Sequence, residues 1–233
     1  MFKYISSRRN SSLLNKIIRN HFEISHVRWY SNSVKCTELD PGNIWIIDGD
    51  LFAPQECQNL IERSEQKGYK EAPVTVAKNS FKMLKNVRNN QRVMFDDLEL
   101  TNQLFYKYGP NEYFAPHYDG HYQREEYQAQ TLDVTSSLDP LVCMEKSFIT
   151  VLIYLNDVKG QGGETNFLKS KQSGEVLFSV KPKQGRVLMF MHGNLHEAKA
   201  LESNDQSPLQ EYKYVLRTDV MYRKIATHIN SQE

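Results

Sequence analysis

His117 and Asp119 are separated by a single residue and follow the extended stretch formed by residues 113–116. In a strand, residues i and i+2 point to the same side and lie about 6.6 Å apart along the strand axis. This imidazole and this carboxylate can therefore converge on one ion. Two histidines and one carboxylate form the face that holds non-heme Fe(II) and leaves the other coordination positions open.

A third ligand must come from elsewhere in the chain. His196 is the best candidate, because it comes shortly after the apolar run at residues 187–191, which is typical of a buried strand. His192 and His121 are the competing candidates. For these two, the simpler interpretation is a structural or exposed histidine.

Iron that uses O₂ needs two further electrons, which 2-oxoglutarate supplies when its keto-acid end chelates the metal. The distal carboxylate of 2-oxoglutarate then needs a cation near the iron. Lys213 and Arg217 stand at i and i+4 in an aromatic and β-branched stretch, so they share one face of a strand. Either could serve, since a cation on an inner face is costly without an anion. The alternative is that both are solvated charges on the outer face.

The segments that carry these residues are predicted to be mainly short strands. Residues 44–47 form an apolar run between turns, and a helix is predicted over residues 54–67, with Cys57, Leu60 and Ile61 on one face. Further strands are predicted at residues 104–108, 148–155, 175–180, 186–191 and 212–222. Strands that follow one or two helices without regular βαβ alternation indicate a mainly β (α+β) jelly roll with flanking N-terminal helices.

Composition excludes several classes of protein. Lys+Arg 29 against Asp+Glu 28 gives a net charge of +1, so no global field indicates a nucleic-acid partner. No apolar run approaches the roughly 18 residues of a membrane-spanning helix. Three scattered cysteines without a CxxC pair argue against a disulfide framework. One domain is expected over residues 40–225, followed by a tail at residues 226–233.

Residues 1–35 differ from the rest of the chain. They hold seven basic side chains and one acidic one, and residues 13–18 place four aliphatic side chains on one face of a short helix. An Arg-rich, Ser-rich, amphipathic segment is typical of an organelle transit peptide, and residues 28–31 resemble a mitochondrial processing site. The sequence therefore predicts a mitochondrial matrix protein. The alternative is a basic tail on a cytoplasmic protein.

Taken together, the motifs resemble the prolyl 4-hydroxylase branch of the Fe(II)/2-oxoglutarate dioxygenases. Matching segments occur in the same order at residues 56–57, 87–90, 105–109, 113–120, 152–156, 162–167, 182–190, 196–197 and 213–220. The resemblance spans about residues 44–223. It implies a double-stranded β-helix, cupin-like, with iron between its two sheets.

The resemblance also assigns roles to particular residues. Three residues match the iron ligands of the family: His117, Asp119 and His196. Lys213 matches the cation that binds the distal carboxylate of 2-oxoglutarate, Tyr108 matches a tyrosine of the same pocket, and Arg217 is the reserve cation. No catalytic residue beyond the metal ligands is implied. The cofactors implied are Fe(II), 2-oxoglutarate, O₂ and L-ascorbate as reductant.

The implied reaction is hydroxylation of an unactivated C–H bond with release of succinate and CO₂. A prolyl or other side chain of a peptide or protein is the default substrate, and a small molecule fits equally well. The sequence does not specify the oligomeric state.

Two features depart from the family pattern. Only residues 98–104 separate Asp96-Asp97 from Phe105, where the family usually carries a further helix and a lead-in strand. A long connection at residues 123–146 is predicted to form a lid or a specificity element. The alternative functions are a non-catalytic jelly-roll module that binds a metal or a partner, and a cupin-type metalloenzyme without a keto-acid co-substrate.

Overall fold

The computed structural model describes residues 2–4, 34–77, 80–95, 103–128, 141–202 and 211–224. The predicted targeting segment at residues 1–35 lies almost entirely outside these ranges, and the predicted tail at residues 226–233 lies wholly outside them. Within the described part of the chain, no helix has the length and apolar character needed to cross a membrane.

The elements follow one another from the N-terminus as a series of strands interrupted by one described helix. The first group is β1 (Phe2–Tyr4), β2 (Lys35–Asp40), β3 (Ile44–Asp48), α1 (Pro54–Lys67), β4 (Lys70–Glu71), β5 (Val74–Ala77), β6 (Ser80–Lys82) and β7 (Gln91–Phe95). The second group is β8 (Gln103–Tyr108), β9 (Phe114–His117), β10 (Gln123–Gln128), β11 (Leu141–Tyr154), β12 (Thr165–Leu168), β13 (Val176–Val180), β14 (Val187–Met191), β15 (His196–Ala198) and β16 (Lys213–Lys224).

The strands form a larger and a smaller antiparallel sheet. The major sheet has the order β2-β3-β14-β11-β16-β8-β7-β4, with β1 added beside β16 and β10 beside β11. The minor sheet has the order β13-β12-β15-β9, and β5 and β6 form a separate hairpin. The predicted mainly β jelly roll with a flanking N-terminal helix is confirmed.

Alternation along β11 gives the domain two apolar cores. Odd-numbered residues of this strand pack with α1 on the outer face of the major sheet, and even-numbered residues face the minor sheet. The outer core includes Ile149, Val151, Ile153, Leu155, Leu51, Cys57, Leu60 and Leu216. The core between the sheets includes Tyr106, Tyr108, Tyr154, Phe167, Val180, Leu188, Phe190 and Val215. The inner face of the major sheet therefore bounds the space between the two sheets.

Leu216 offers a test of the outer core. Its side chain is fully buried, so Leu216→Ala removes apolar contacts and leaves a cavity. We expect the free energy of unfolding to fall by about 2–5 kcal/mol, measured by urea denaturation. The matched control is Leu177→Ala on the exposed strand β13, where the change should stay within about 0.5 kcal/mol. Equal effects at both positions would contradict this packing.

Both departures from the family pattern lie beside strands that pair with a neighbour in the major sheet. Residues 123–146, predicted as one long connection, instead contain β10 and the start of β11, which pair from Gln123 opposite Lys146 to Gln128 opposite Leu141. The prediction of a continuous loop was wrong here because the polar sequence of β10 has no apolar alternation, as is common for an edge strand. At the shortened segment, β7 and β8 pair directly with each other, so the sheet is continuous across it.

Candidate metal centre

The two best histidine candidates lie opposite each other in the minor sheet. His117 ends β9 and His196 begins β15, and the two residues are direct partners across these strands. Their ring centroids are 4.3 Å apart. Asp119 follows two residues after His117, with its oxygens 3.8 Å from Nε2 of His117 and 3.7 Å from Nε2 of His196. One ligand atom from each of the three residues lies within 4.8 Å of the others.

Backbone carbonyls fix the orientation of both imidazoles. The Nδ1 atom of His117 is 2.8 Å from the carbonyl oxygen of Ala115, and that of His196 is 3.0 Å from the carbonyl oxygen of Asn194. A carbonyl can only accept, so each Nδ1 carries the proton and each Nε2 keeps its lone pair. Burial lowers the pKa of both histidines, that of His117 to about 3. Both rings are thus neutral, which is the form that binds a metal.

Asp119 is held as a buried carboxylate. Arg217 places Nη1 3.0 Å from its Oδ1, and the hydroxyl of Thr150 donates to its Oδ2 at 2.6 Å. Burial alone would raise the pKa of Asp119, but Arg217, the two imidazoles and the Thr150 hydroxyl hold it below its usual range. The carboxylate is therefore ionised and fixed in position, as a metal ligand has to be.

Thr150 gives a test of this arrangement. Thr150→Val keeps the shape of the side chain and removes the hydroxyl that orients Asp119. We expect metal affinity to fall by about tenfold, since outer partners of metal ligands typically contribute about 10–100-fold. Titration with Co(II), followed by its visible absorption, measures the change. Ser170→Ala, in an exposed turn, is the control, and equal affinities of the wild type and Thr150→Val would contradict the role of the hydroxyl.

A single cavity between the sheets connects the predicted site residues. It is lined by His117, Asp119, His196, Lys213, Tyr108 and Arg217. The apolar side chains of Leu152, Phe190 and Val215 also line it. The predicted residues thus share one space.

Lys213 is a buried cation with no carboxylate partner in the part of the chain that the structure describes. It is 1% exposed, its Nζ donates to the carbonyl oxygen of Gly163 at 2.9 Å, and it lies 4.1 Å from the ring centroid of Tyr108. Burial lowers the pKa of Lys213 to about 7, although Glu164 acts in the opposite direction. Among the described residues, no carboxylate lies within ion-pair distance of its ammonium. An anion in the cavity would supply the missing partner.

Comparison with known proteins relates part of the chain to one superfamily. Residues 104–216 match the sequence profile of the 2OG-Fe(II) oxygenase superfamily. Over this range, which is just under half of the chain, the sequence is similar to that superfamily. Members of this superfamily use Fe(II), 2-oxoglutarate and O₂, and the His-Asp-His triad described above is present in this domain. No curated protein sequence matches the chain.

One solved prolyl hydroxylase shares the fold of this domain, and a second has a lower structural similarity to it. A Trichoplax adhaerens prolyl hydroxylase in complex with a hypoxia-inducible factor peptide fragment superimposes with a TM-score of 0.51 at 15% identity, over 79% of this chain and 84% of that one. A viral collagen prolyl hydroxylase from Paramecium bursaria Chlorella virus-1 gives 0.49 at 17% identity, over 80% and 99% of the two chains. The predicted resemblance to prolyl 4-hydroxylase-like oxygenases is confirmed at the level of superfamily and fold.

The second predicted cation, Arg217, has different partners from the first, Lys213. Arg217 and Lys213 share the inner face of β16, as their i and i+4 spacing predicts. Arg217, however, pairs with Asp119 at 3.0 Å and lies 3.5 Å from Asp219. Burial alone would lower the pKa of Arg217, but these carboxylates raise it. Its charge is thus already balanced within the protein.

The competing histidines lie beside the triad and not in it. His192 is buried, with its Nε2 3.7 Å from Asp219, and its ring centroid is 5.8 Å from that of His121. Among the described residues, the cluster with metal-ligand spacing contains His196 and neither of these two. The preference for His196 is therefore consistent with the geometry.

Two polar groups beside the candidate metal centre were not predicted as site groups from the sequence. Thr150 lies on the predicted strand at residues 148–155. Period-two alternation places it on the same face as Leu152, and this alternation is a signal by which Thr150 could have been found. The carbonyl of Gly163 that accepts from Lys213 left no such signal. It depends on a turn in which Gly162 and Gly163 have φ of 85° and 76°, values that glycine adopts readily.

Proposed function

We propose that the protein is an Fe(II)- and 2-oxoglutarate-dependent dioxygenase that hydroxylates an unactivated C–H bond. The observation that carries this proposal is one cavity lined by two neutral imidazoles, one fixed carboxylate and one buried lysine that has no carboxylate partner among the described residues. The superfamily of residues 104–216 supports the general reaction.

The donor set fits Fe(II). His117 and His196 would bind through Nε2, because their Nδ1 atoms are taken by backbone carbonyls, and Asp119 would bind through a carboxylate oxygen. When bound together, Fe(II) and 2-oxoglutarate would allow O₂ to react: 2-oxoglutarate supplies two electrons and leaves as succinate, which keeps one oxygen atom, and CO₂, while the substrate C–H bond supplies the other two electrons and receives the second oxygen atom as a hydroxyl.

The chain itself binds, orients and excludes water. Lys213 would bind the distal carboxylate of 2-oxoglutarate, with Tyr108 beside its ammonium. Arg217 is already bound to Asp119, so it would hold the metal ligand and leave the co-substrate to Lys213. Leu152 and Phe190 give the cavity apolar walls, which limit access of water to reactive species.

The test is succinate release by the purified protein incubated with Fe(II) and 2-oxoglutarate, with and without metal chelator. Release that depends on iron supports an active dioxygenase. Metal binding without succinate release would instead favour the non-catalytic module. Release that does not respond to changes at Lys213 would favour a site in which this lysine has no contact with the co-substrate.

For the organic substrate, we propose a prolyl or other side chain of a peptide or protein. A structural neighbour, the Trichoplax enzyme, is a prolyl hydroxylase bound to a peptide fragment, and a small-molecule substrate is the alternative. Incubation with peptide pools followed by mass spectrometry tests this proposal, since hydroxylation adds about 16 Da. A gain found only in free amino acids or other small compounds would reject the peptide substrate.

Two further proposals come from the sequence. We propose L-ascorbate as the reductant that restores oxidised iron, which predicts that ascorbate prolongs linear succinate release. We also propose import into the mitochondrial matrix, supported by the composition of residues 1–35. A fusion of these residues to a fluorescent protein should co-localise with mitochondria, and a diffuse cytoplasmic signal would contradict the targeting.

A further inference from the structure

Arg88 is a buried arginine with an unused hydrogen-bond donor. The residue is 4% exposed, and its Nε donates to Oδ1 of Asn90 at 2.6 Å. Its Nη2 is buried and has no hydrogen-bond partner among the described residues. The guanidinium carbon lies 4.5 Å from the ring centroid of Tyr106 and 4.3 Å from that of Phe114. These cation–π contacts stabilise the charge, but they do not satisfy the N–H groups in the guanidinium plane.

Arg92 brings a second positive charge to the same place. It is the cross-strand partner of Tyr106, so its side chain leaves the major sheet on the same face. Burial lowers the pKa of Arg92; Tyr106 acts in the opposite direction, and the nearby charge of Arg88 lowers it slightly further. Its guanidinium carbon lies 5.9 Å from the ring centroid of Phe81, an exposed side chain on the β5–β6 hairpin. Arg92 is thus the more solvent-exposed residue of the pair.

Neither arginine has an acidic partner in the described part of the chain. Arg186 and Arg217 each pair with a carboxylate, at 2.8 Å and 3.0 Å, whereas no carboxylate lies within 4 Å of Arg88 or Arg92. Two neighbouring guanidinium groups repel each other, and a buried donor without a partner costs free energy. A bound anion would reduce the repulsion between the two guanidinium groups and accept a hydrogen bond from the buried donor. A carboxylate matches the planar geometry of the guanidinium N–H groups.

The pair adjoins the metal centre. The ring of Phe114 stacks on the imidazole of His117 with centroids 3.6 Å apart. Tyr106 and Phe114 both line the cavity, as does Arg217. One aromatic ring therefore separates Arg88 from a metal-binding imidazole. This position differs from that of Lys213, whose ammonium contacts Tyr108 and Gly163.

We propose that Arg88 and Arg92 form a second anion subsite, which binds a carboxylate carried by the organic substrate. The inference rests on the proposed dioxygenase function and adds to it that the substrate carries a carboxylate. The carboxylate could belong to a free amino acid or to an acidic residue beside the hydroxylated one in a peptide. The two arginines would bind the carboxylate of a free amino acid and that of a peptide in the same way, so the experiment has one arm for each.

The first measurement uses matched pairs of compounds with and without the negative charge. Proline is compared with prolinamide, and acetyl-Pro-Asp-amide with acetyl-Pro-Asn-amide. The wild-type protein, loaded with Fe(II) and 2-oxoglutarate, should release succinate at least about tenfold faster with the acidic member of one pair than with its neutral counterpart. A preference within the first pair identifies a free amino acid, and one within the second identifies an acidic peptide.

Variants then assign the preference to the arginines. Arg92→Gln should reduce the ratio between acidic and neutral compounds to less than about threefold, and Arg88→Gln should reduce it further. Because Arg88 is buried and its variant could fold poorly, the half-buried Arg92 is the decisive position. Arg63→Gln, on the exposed side of α1, is the matched control and should keep the wild-type ratio.

A binding measurement separates failure of the subsite from failure of the dioxygenase. Calorimetric titration of the Mn(II)-loaded protein with the same pairs needs no turnover. Tighter binding of the acidic member, lost in Arg92→Gln, supports the subsite even if no succinate forms. Equal binding and equal stimulation by acidic and neutral compounds would overturn the inference, as would an Arg92→Gln variant that retains the wild-type preference.

Discussion

Replacing His117 with alanine will abolish iron-dependent succinate release. The side chain supplies one of three atoms that converge on a point between β9 and β15, and its Nε2 is free only because Nδ1 donates to the carbonyl of Ala115. Loss of an outer partner of a metal ligand typically costs about 10–100-fold, so loss of the ligand itself should exceed about a thousandfold. Succinate is quantified by chromatography, and bound metal by elemental analysis of the same samples.

His121→Ala is the matched control for this substitution. His121 is an exposed histidine close in sequence, and its Nδ1 is 3.2 Å from the carbonyl oxygen of Ser147, outside the triad. We expect this variant to keep its bound metal and at least about half of the succinate release. Retained iron-dependent release in His117→Ala would falsify the assignment of the metal centre.

The two neighbouring metal-ligand candidates could be predicted from the sequence because their geometry is local. His117 and Asp119 stand at i and i+2 of an extended segment, and this spacing alone places both side chains on one side. Lys213 and Arg217 share a face for the same reason. His196 could be selected over His192 and His121 only from its position after an apolar run and from the family resemblance. Its contact with His117 depends on cross-strand pairing in the minor sheet.

The register between strands that lie far apart in the chain could not be predicted from the sequence. Thr150 reaches Asp119 across 31 positions of the chain, and Arg217 reaches it from the far end of the domain. Such contacts depend on which residues of β11 and β16 face each other, and a shift by one residue would turn every side chain to the opposite face. The strand β10 was missed for a related reason, since an edge strand with polar residues has no buried face to leave a pattern.

Replacing Lys213 with methionine will raise the concentration of 2-oxoglutarate needed for half-maximal turnover by about a hundredfold or more. Removing one partner of a buried charge pair typically costs about 2–5 kcal/mol. The ligand-free fold should tolerate the change, because Lys213 is buried without a carboxylate partner within ion-pair distance among the described residues. An apolar side chain of similar volume is often as stable or more stable at such a site. Lys183→Met, at an exposed turn, is the control and should leave the requirement unchanged.

The pH dependence of 2-oxoglutarate binding tests the same lysine independently. Burial lowers the pKa of Lys213 to about 7, so in the ligand-free protein its ammonium is charged below this pH and increasingly neutral above it. The doubly charged co-substrate requires the charged form. Its dissociation constant should therefore be flat below about pH 7 and rise by up to about tenfold for each pH unit above it.

Two variants determine which cation carries this dependence. Lys213→Arg keeps a positive charge at every pH in this range, so its dissociation constant should no longer rise above pH 7. Arg217→Ala should instead weaken metal binding, because Arg217 pairs with Asp119. If Arg217→Ala raises the 2-oxoglutarate requirement and Lys213→Met does not, then Arg217 is the anchor of the co-substrate.

A stability measurement adds a further check, since the buried charge of Lys213 destabilises the ligand-free fold most below pH 7. The gain in the free energy of unfolding from Lys213→Met should therefore shrink as the pH rises above that value.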